Sequence, residues 1–115
     1  MHKINLSVTL ALVVLFFAGC GGVSDARLVN DLKQAGMSYH QYVDTHKKGP
    51  AGWDEWIAFA KGDGADAAIT RIREAKYEVT WGADLAKLPG PSSETVLAKP
   101  PGKGPVLMMD GAVKR

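Results

Sequence analysis

Apolar and polar residues alternate along this chain in three distinct rhythms. From Val8 to Ala18 the residues are apolar except for Thr9. Between Asp25 and Thr45, Leu28, Leu32, Ala35, Tyr39, Tyr42 and Val43 recur at three- and four-residue steps. That spacing predicts one amphipathic helix with a single buried face. Ser24 is a capping residue at its start, and Asp25 places a carboxylate in the first turn. Gly49-Pro50 ends it, with Lys47 and Lys48 beside its carboxyl end. A short helix follows over Trp53–Lys61, with Trp53, Trp56, Ile57 and Ala60 on one side, and Gly62 stops it. A third helix is expected over Asp66–Ala75, with Ala68, Ile69, Ile72 and Ala75 inward.

The period then falls to two. Tyr77, Val79 and Trp81 alternate with Glu78 and Thr80, which predicts a half-buried strand. Gly82–Ser93 is a loop rich in Gly and Pro. Thr95–Lys99 and Pro105–Met109 predict two more strands, joined across Pro100–Gly104 as an antiparallel hairpin. Asp110-Gly111 is a tight-turn dipeptide, and Ala112–Arg115 is expected to return after it as a stub of strand. Helices precede strands, so the expected fold class is α+β. One long N-terminal helix and two short ones pack on a three-stranded antiparallel meander.

The apolar run near the start has a different meaning. Met1-His2-Lys3 is a short positive segment, and the eleven residues Val8–Ala18 suit a signal peptide. A bilayer-spanning helix needs about 20. The run closes on Phe17-Ala18-Gly19-Cys20, with small residues before a cysteine. This string resembles a lipobox, with Phe17 where Leu is more usual. The expected division is a lipoprotein signal peptide over residues 1–19, cleavage between Gly19 and Cys20, and a lipidated Cys20. A short tether occupies residues 20–24, and one small domain spans 25–115. Each acyl methylene buried in a bilayer contributes about 0.8 kcal/mol, so a diacylglycerol on Cys20 anchors the chain stably. The expected location is the cell envelope, facing the periplasm. Gly21 after the cysteine, in place of Asp, favours the outer membrane over the inner.

Composition adds two constraints. Cys20 is the only cysteine, so no intramolecular disulfide forms. The net charge of +2 is spread along the chain without a basic run, which argues against a nucleic-acid surface.

Two strings carry a family resemblance. One is Asp31-Leu32-Lys33-Gln34-Ala35-Gly36-Met37-Ser38-Tyr39-His40-Gln41-Tyr42-Val43-Asp44-Thr45-His46, followed by Lys47-Lys48-Gly49-Pro50. The other is Val106-Leu107-Met108-Met109-Asp110-Gly111-Ala112-Val113, preceded by Val96-Leu97-Ala98. Together they resemble a bacterial family of pseudopilin-like proteins ending in an Asp-Gly motif, similar to the major pseudopilin of type II secretion. Family members open with a prepilin leader and a long apolar helix; here a lipobox stands in that place. The resemblance implies the long helix packed on a closing meander. It does not extend to filament assembly, which uses the apolar helix.

Candidate chemistry is sparse. His40 and His46 lie six apart, on different helix faces, whereas a helical metal pair needs three- or four-residue spacing. Asp63-Gly64-Ala65-Asp66 lacks the remaining ligands of a calcium loop. Asp110 and Gly111 are explained by their turn. No nucleophile elbow, phosphate loop or dinucleotide fingerprint occurs. The expectation is a protein that is not an enzyme and takes no metal or cofactor. Its partners would be the membrane, through Cys20, and an envelope or secretion-system protein. Trp53, Trp56 and Trp81 are the candidate ligand or interaction residues. They leave a second reading, a small ligand-binding lipoprotein with a tryptophan-lined site.

Overall fold

The computed structural model of this chain describes residues 25–115. The signal peptide, the Gly19–Cys20 cleavage site, lipidated Cys20 and the Ser24 cap therefore lie outside the described residues. Within them the fold is α+β. Helices α1 (Asp25–His46), α2 (Trp53–Ala60) and α3 (Asp66–Glu74) precede strands β1 (Glu78–Val79), β2 (Val96–Lys99), β3 (Val106–Met108) and β4 (Val113–Lys114). A single 3-10 turn, Leu85–Lys87, interrupts the long loop after β1. The strands form one antiparallel sheet in sequence order.

The helix periodicity explains the packing. Leu32, Ala35, Tyr39, Tyr42 and Val43 are buried along α1, and Leu28 packs against the core they begin. Asp31, Gly36 and Ser38 are buried as well, because α1 is covered on two sides. It packs on α3 and α2 along one flank and on β3 and β4 along the other. Trp56 and Ala60 of α2 and Ala68, Ile69 and Ile72 of α3 complete the helical layer. The side chains of Asp31 and Arg71 tie α1 to α3 by a two-pronged ion pair, both contacts at 2.8 Å.

Among the described residues four strands are present, where the sequence predicts a three-stranded meander followed by a stub. The stub after Asp110-Gly111 pairs with β3, Val106 opposite Lys114 and Leu107 opposite Val113. The reversal is a three-residue loop. Met108 N–H donates to Ala112 O, Gly111 N–H donates to Met108 O, and Gly111 sits at φ +92°. This is a type I turn followed by a left-handed residue, a hairpin class that needs glycine at its last position. Asp110 Oδ1 accepts from Ala112 N–H and fixes the turn. A register shift between Val96 and Ala98 bulges β2 against β3. It breaks the in–out alternation, so Leu97 and Ala98 are both buried. At the start of the sheet the predicted alternation holds: Tyr77 is buried, Val79 and Trp81 are half-buried, and Glu78 and Thr80 are exposed.

Candidate functional site

Gly36 and His40 stand one turn apart on α1 and so share a face. That face meets the closing hairpin. A Cβ on Gly36 would lie 3.1 Å from Leu107 Cδ1 and 3.4 Å from Gly111 Cα, so glycine sets how closely helix and turn approach. One turn on, His40 Nε2 lies 2.5 Å from Met109 O. A carbonyl only accepts, so Nε2 carries the proton in this contact. The helix string and the Asp110-Gly111 string, far apart in sequence, are thus in contact at one junction.

The junction floors an open groove of about 280 Å³, lined by Lys33, Gly36, Met37, His40, Asp110 and Gly111 among others. A second groove of about 320 Å³ lies between α1 and the turn before α3. Gln34, Met37, Ser38, Gln41, Asp63 and Ala65 line it. Ser38 is 1% exposed, and its Oγ has no hydrogen-bond partner among the described residues. Met37 belongs to both grooves and forms the ridge between them. Its side chain is 66% exposed, the large apolar residue that stands out on the described surface. Gln41 also borders both grooves. An apolar ridge flanked by amide, ammonium and carboxylate groups can hold a protruding protein segment. His40 and Asp110 already bond to the backbone of the hairpin.

The tryptophans are placed differently. Trp53, Trp56 and Trp81 pack on one another, with ring centroids 5.0 to 6.0 Å apart. Tyr39 meets Trp56 edge-on at 5.5 Å. Trp56 is fully buried, and its Nε1 has no hydrogen-bond partner among the described residues. Trp53 and Trp81 are half-buried against the same core. No indole lines either groove beside Met37.

At the far end of α1 a polar cluster closes the gap to α2. The Tyr42 hydroxyl donates to Glu55 Oε1, which also accepts from Ala51 N–H. His46 stacks on the Tyr42 ring at 4.2 Å, and Phe59 meets both rings edge-on. The bond to Glu55, followed by burial and the carboxylate's charge, pushes the Tyr42 hydroxyl up to about 12. The same bond, with Ala51 N–H, holds Glu55 below the ordinary carboxylate range. His40 and His46 therefore serve different flanks of α1, the hairpin side and the α2 side. Among the described residues no group of three His, Cys, Asp or Glu side chains is placed to hold a metal ion. Also among them, no helix is long and apolar enough to cross a membrane.

Met37, Ser38, Gln41 and Lys33 are the residues that sequence reasoning passed over. Met37 carried a signal: it is apolar at a position off the buried stripe of α1. Comparison with family models, curated proteins and solved structures found no match to this chain.

Proposed function

We propose that this chain is a lipid-anchored protein of the bacterial cell envelope. Its role is non-enzymatic: it binds an envelope or secretion-system protein through a pseudopilin-like domain. The anchor is supported by the apolar run ending in Phe17-Ala18-Gly19-Cys20. The relation to pseudopilin-like proteins is supported by the two strings that resemble them, which meet where Gly36 and His40 contact the last hairpin. The observation that carries the interaction role is Met37. An exposed methionine is adaptable contact surface, and this one stands between two grooves that offer hydrogen-bonding groups.

The test uses the full chain in its native envelope, with a photo-crosslinking residue at position 37 or, as control, at exposed Ala58 of α2. A pilin-like or secretion component joined through position 37 and not through 58 is the expected product. No adduct, or the same adducts at both positions, refutes the interaction surface. Mass spectrometry of the purified chain checks the anchor separately: an acylated Cys20 at the amino terminus is expected, and Cys20→Ser removes it.

A further inference from the structure

The end of the domain next to Cys20 gathers basic groups from four parts of the chain. Arg115 Nη1 lies 3.7 Å from Asp25 at the start of α1. The β3–β4 register places Arg115 beside Pro105, and Pro105 O accepts from the Tyr77 hydroxyl at 2.8 Å. Lys76 precedes Tyr77 at the end of α3, which runs antiparallel to α1: Ala65 before its start lies beside Ser38 and Gln41, and Arg71 near its end pairs with Asp31. Lys103 sits in the exposed loop between β2 and β3, whose Gly104 approaches the same tyrosine hydroxyl. Arg27 lies exposed in the first turn of α1. Asp25 and Glu78 answer Arg115 and Lys99 in exposed pairs, and Asp31 is taken up by Arg71. Lys76 and Lys103 have no carboxylate partner among the described residues.

Covalent reach limits where this end can be. Five residue steps separate Cys20 from Asp25, so the two lie at most about 18 Å apart. The axis of α1 carries its other end, His46, about 32 Å further on. An acylated Cys20 therefore keeps the basic end within reach of the headgroup layer, and with α1 upright the Trp and Lys47–Lys48 end stands clear of it. Resting on the lipid-anchor reading above, we propose that this end is a membrane-facing surface. Lys76, Lys103, Arg27 and Arg115 contact anionic phospholipid headgroups and set the domain upright on the bilayer. Lipid anchors gain from a second, electrostatic signal, and each basic side chain near an anionic surface adds to it.

The full lipidated chain is reconstituted in vesicles of phosphatidylcholine alone or with phosphatidylglycerol. Its lysines are then acylated briefly with a soluble reagent and located by mass spectrometry. In the anionic vesicles Lys76 and Lys103 are expected to react about fivefold more slowly, the equivalent of one headgroup contact each. Lys47 and Lys48 are expected to react equally in both. High salt abolishes the difference, because exposed charges are screened over a few ångströms at molar ionic strength. Equal rates at Lys76 and Lys103 in the two vesicle types overturn the proposal, and so does equal protection of Lys47 and Lys48. A purified chain without acyl groups overturns the anchor reading instead, and this surface with it; its mass identifies that case.

Discussion

Tyr39 shows how much one side chain can organise here. Its ring is fully buried. Its hydroxyl donates to Thr80 O at 2.7 Å and accepts from Ala83 N–H at 3.2 Å. One residue of α1 thus holds the chain as it leaves β1, and satisfies two backbone groups that burial would otherwise strand. Gly49 closes over the same hydroxyl: a Cβ there would stand 2.0 Å from Tyr39 Oη. Neither partner can yield, since Tyr39 is held at both ends and Gly49 N–H donates to Ala83 O. Gly49→Ala is expected to destabilise the domain by about 3 kcal/mol, an overpacking cost, read as a lower urea midpoint at unchanged slope. The Asp31–Arg71 pair makes a different demand. Asp31 is 1% exposed, whereas Arg71 keeps 33% of its side chain in water. Removing the arginine leaves a buried carboxylate without its counter-charge. Arg71→Ala is expected to cost about 2–3 kcal/mol, below the range for fully buried pairs because water reaches the guanidinium. Asp31→Asn should cost less, since an uncharged amide needs no counter-ion; the same denaturation series orders the two.

At the scale of elements, helix ends and turns decide the boundaries. The termination of α3 is a Schellman motif: Tyr77 N–H reaches Ile72 O and Lys76 N–H reaches Arg73 O. The motif needs a left-handed residue, and Lys76 occupies it at φ +66°. A Cβ is unfavourable there, so Lys76→Gly is expected to stabilise the domain by about 1 kcal/mol, seen as a higher melting temperature. Both hydrophobic members of the motif, Ile72 and Tyr77, lie in the core, which is why the strain is tolerated. The helices were legible in the sequence because their apolar spacing is long and regular: α1 ends one residue beyond the expected Thr45. The sheet was less legible. Strands of two to four residues carry too few alternations to count, and the β2 bulge hides the period where the sheet is most buried. The stub after Gly111 was legible through the Asp110-Gly111 turn, which returns it to β3, whereas two residues are too few to show an alternation of their own. The Met37 ridge was legible only as an apolar residue off the helix stripe. Its grooves depend on the hairpin and the Asp63 turn arriving from elsewhere.

Across the whole molecule, α1 is the shared wall between a helical layer and a sheet, and its polar contacts hold those layers. His40 fixes the sheet side, Asp31 fixes α3, and Tyr42 fixes α2. The Tyr42–Glu55 contact ties stability to pH in both directions. Glu55 is held below its unfolded value, so its contribution is present above that value and is lost as pH falls through the folded one. Tyr42 is raised from 10.0 to about 12, so its contribution is complete below pH 10 and is lost as pH climbs towards 12. Burial also raises Tyr39 and Tyr77, which adds to the alkaline loss. Tyr42→Phe separates these sources. It removes the hydroxyl that titrates and the donor that holds Glu55 down, while keeping the ring against His46 and Phe59. The variant is expected to be less stable at pH 7. It should lose less stability than the parent between pH 10 and 12, and less again as pH falls through the carboxylate range. Urea denaturation across pH 3 to 12 measures both limbs. Parallel curves for parent and variant would mean that the hydroxyl and Glu55 are not coupled in solution, and that α2 is held to α1 by ring packing alone.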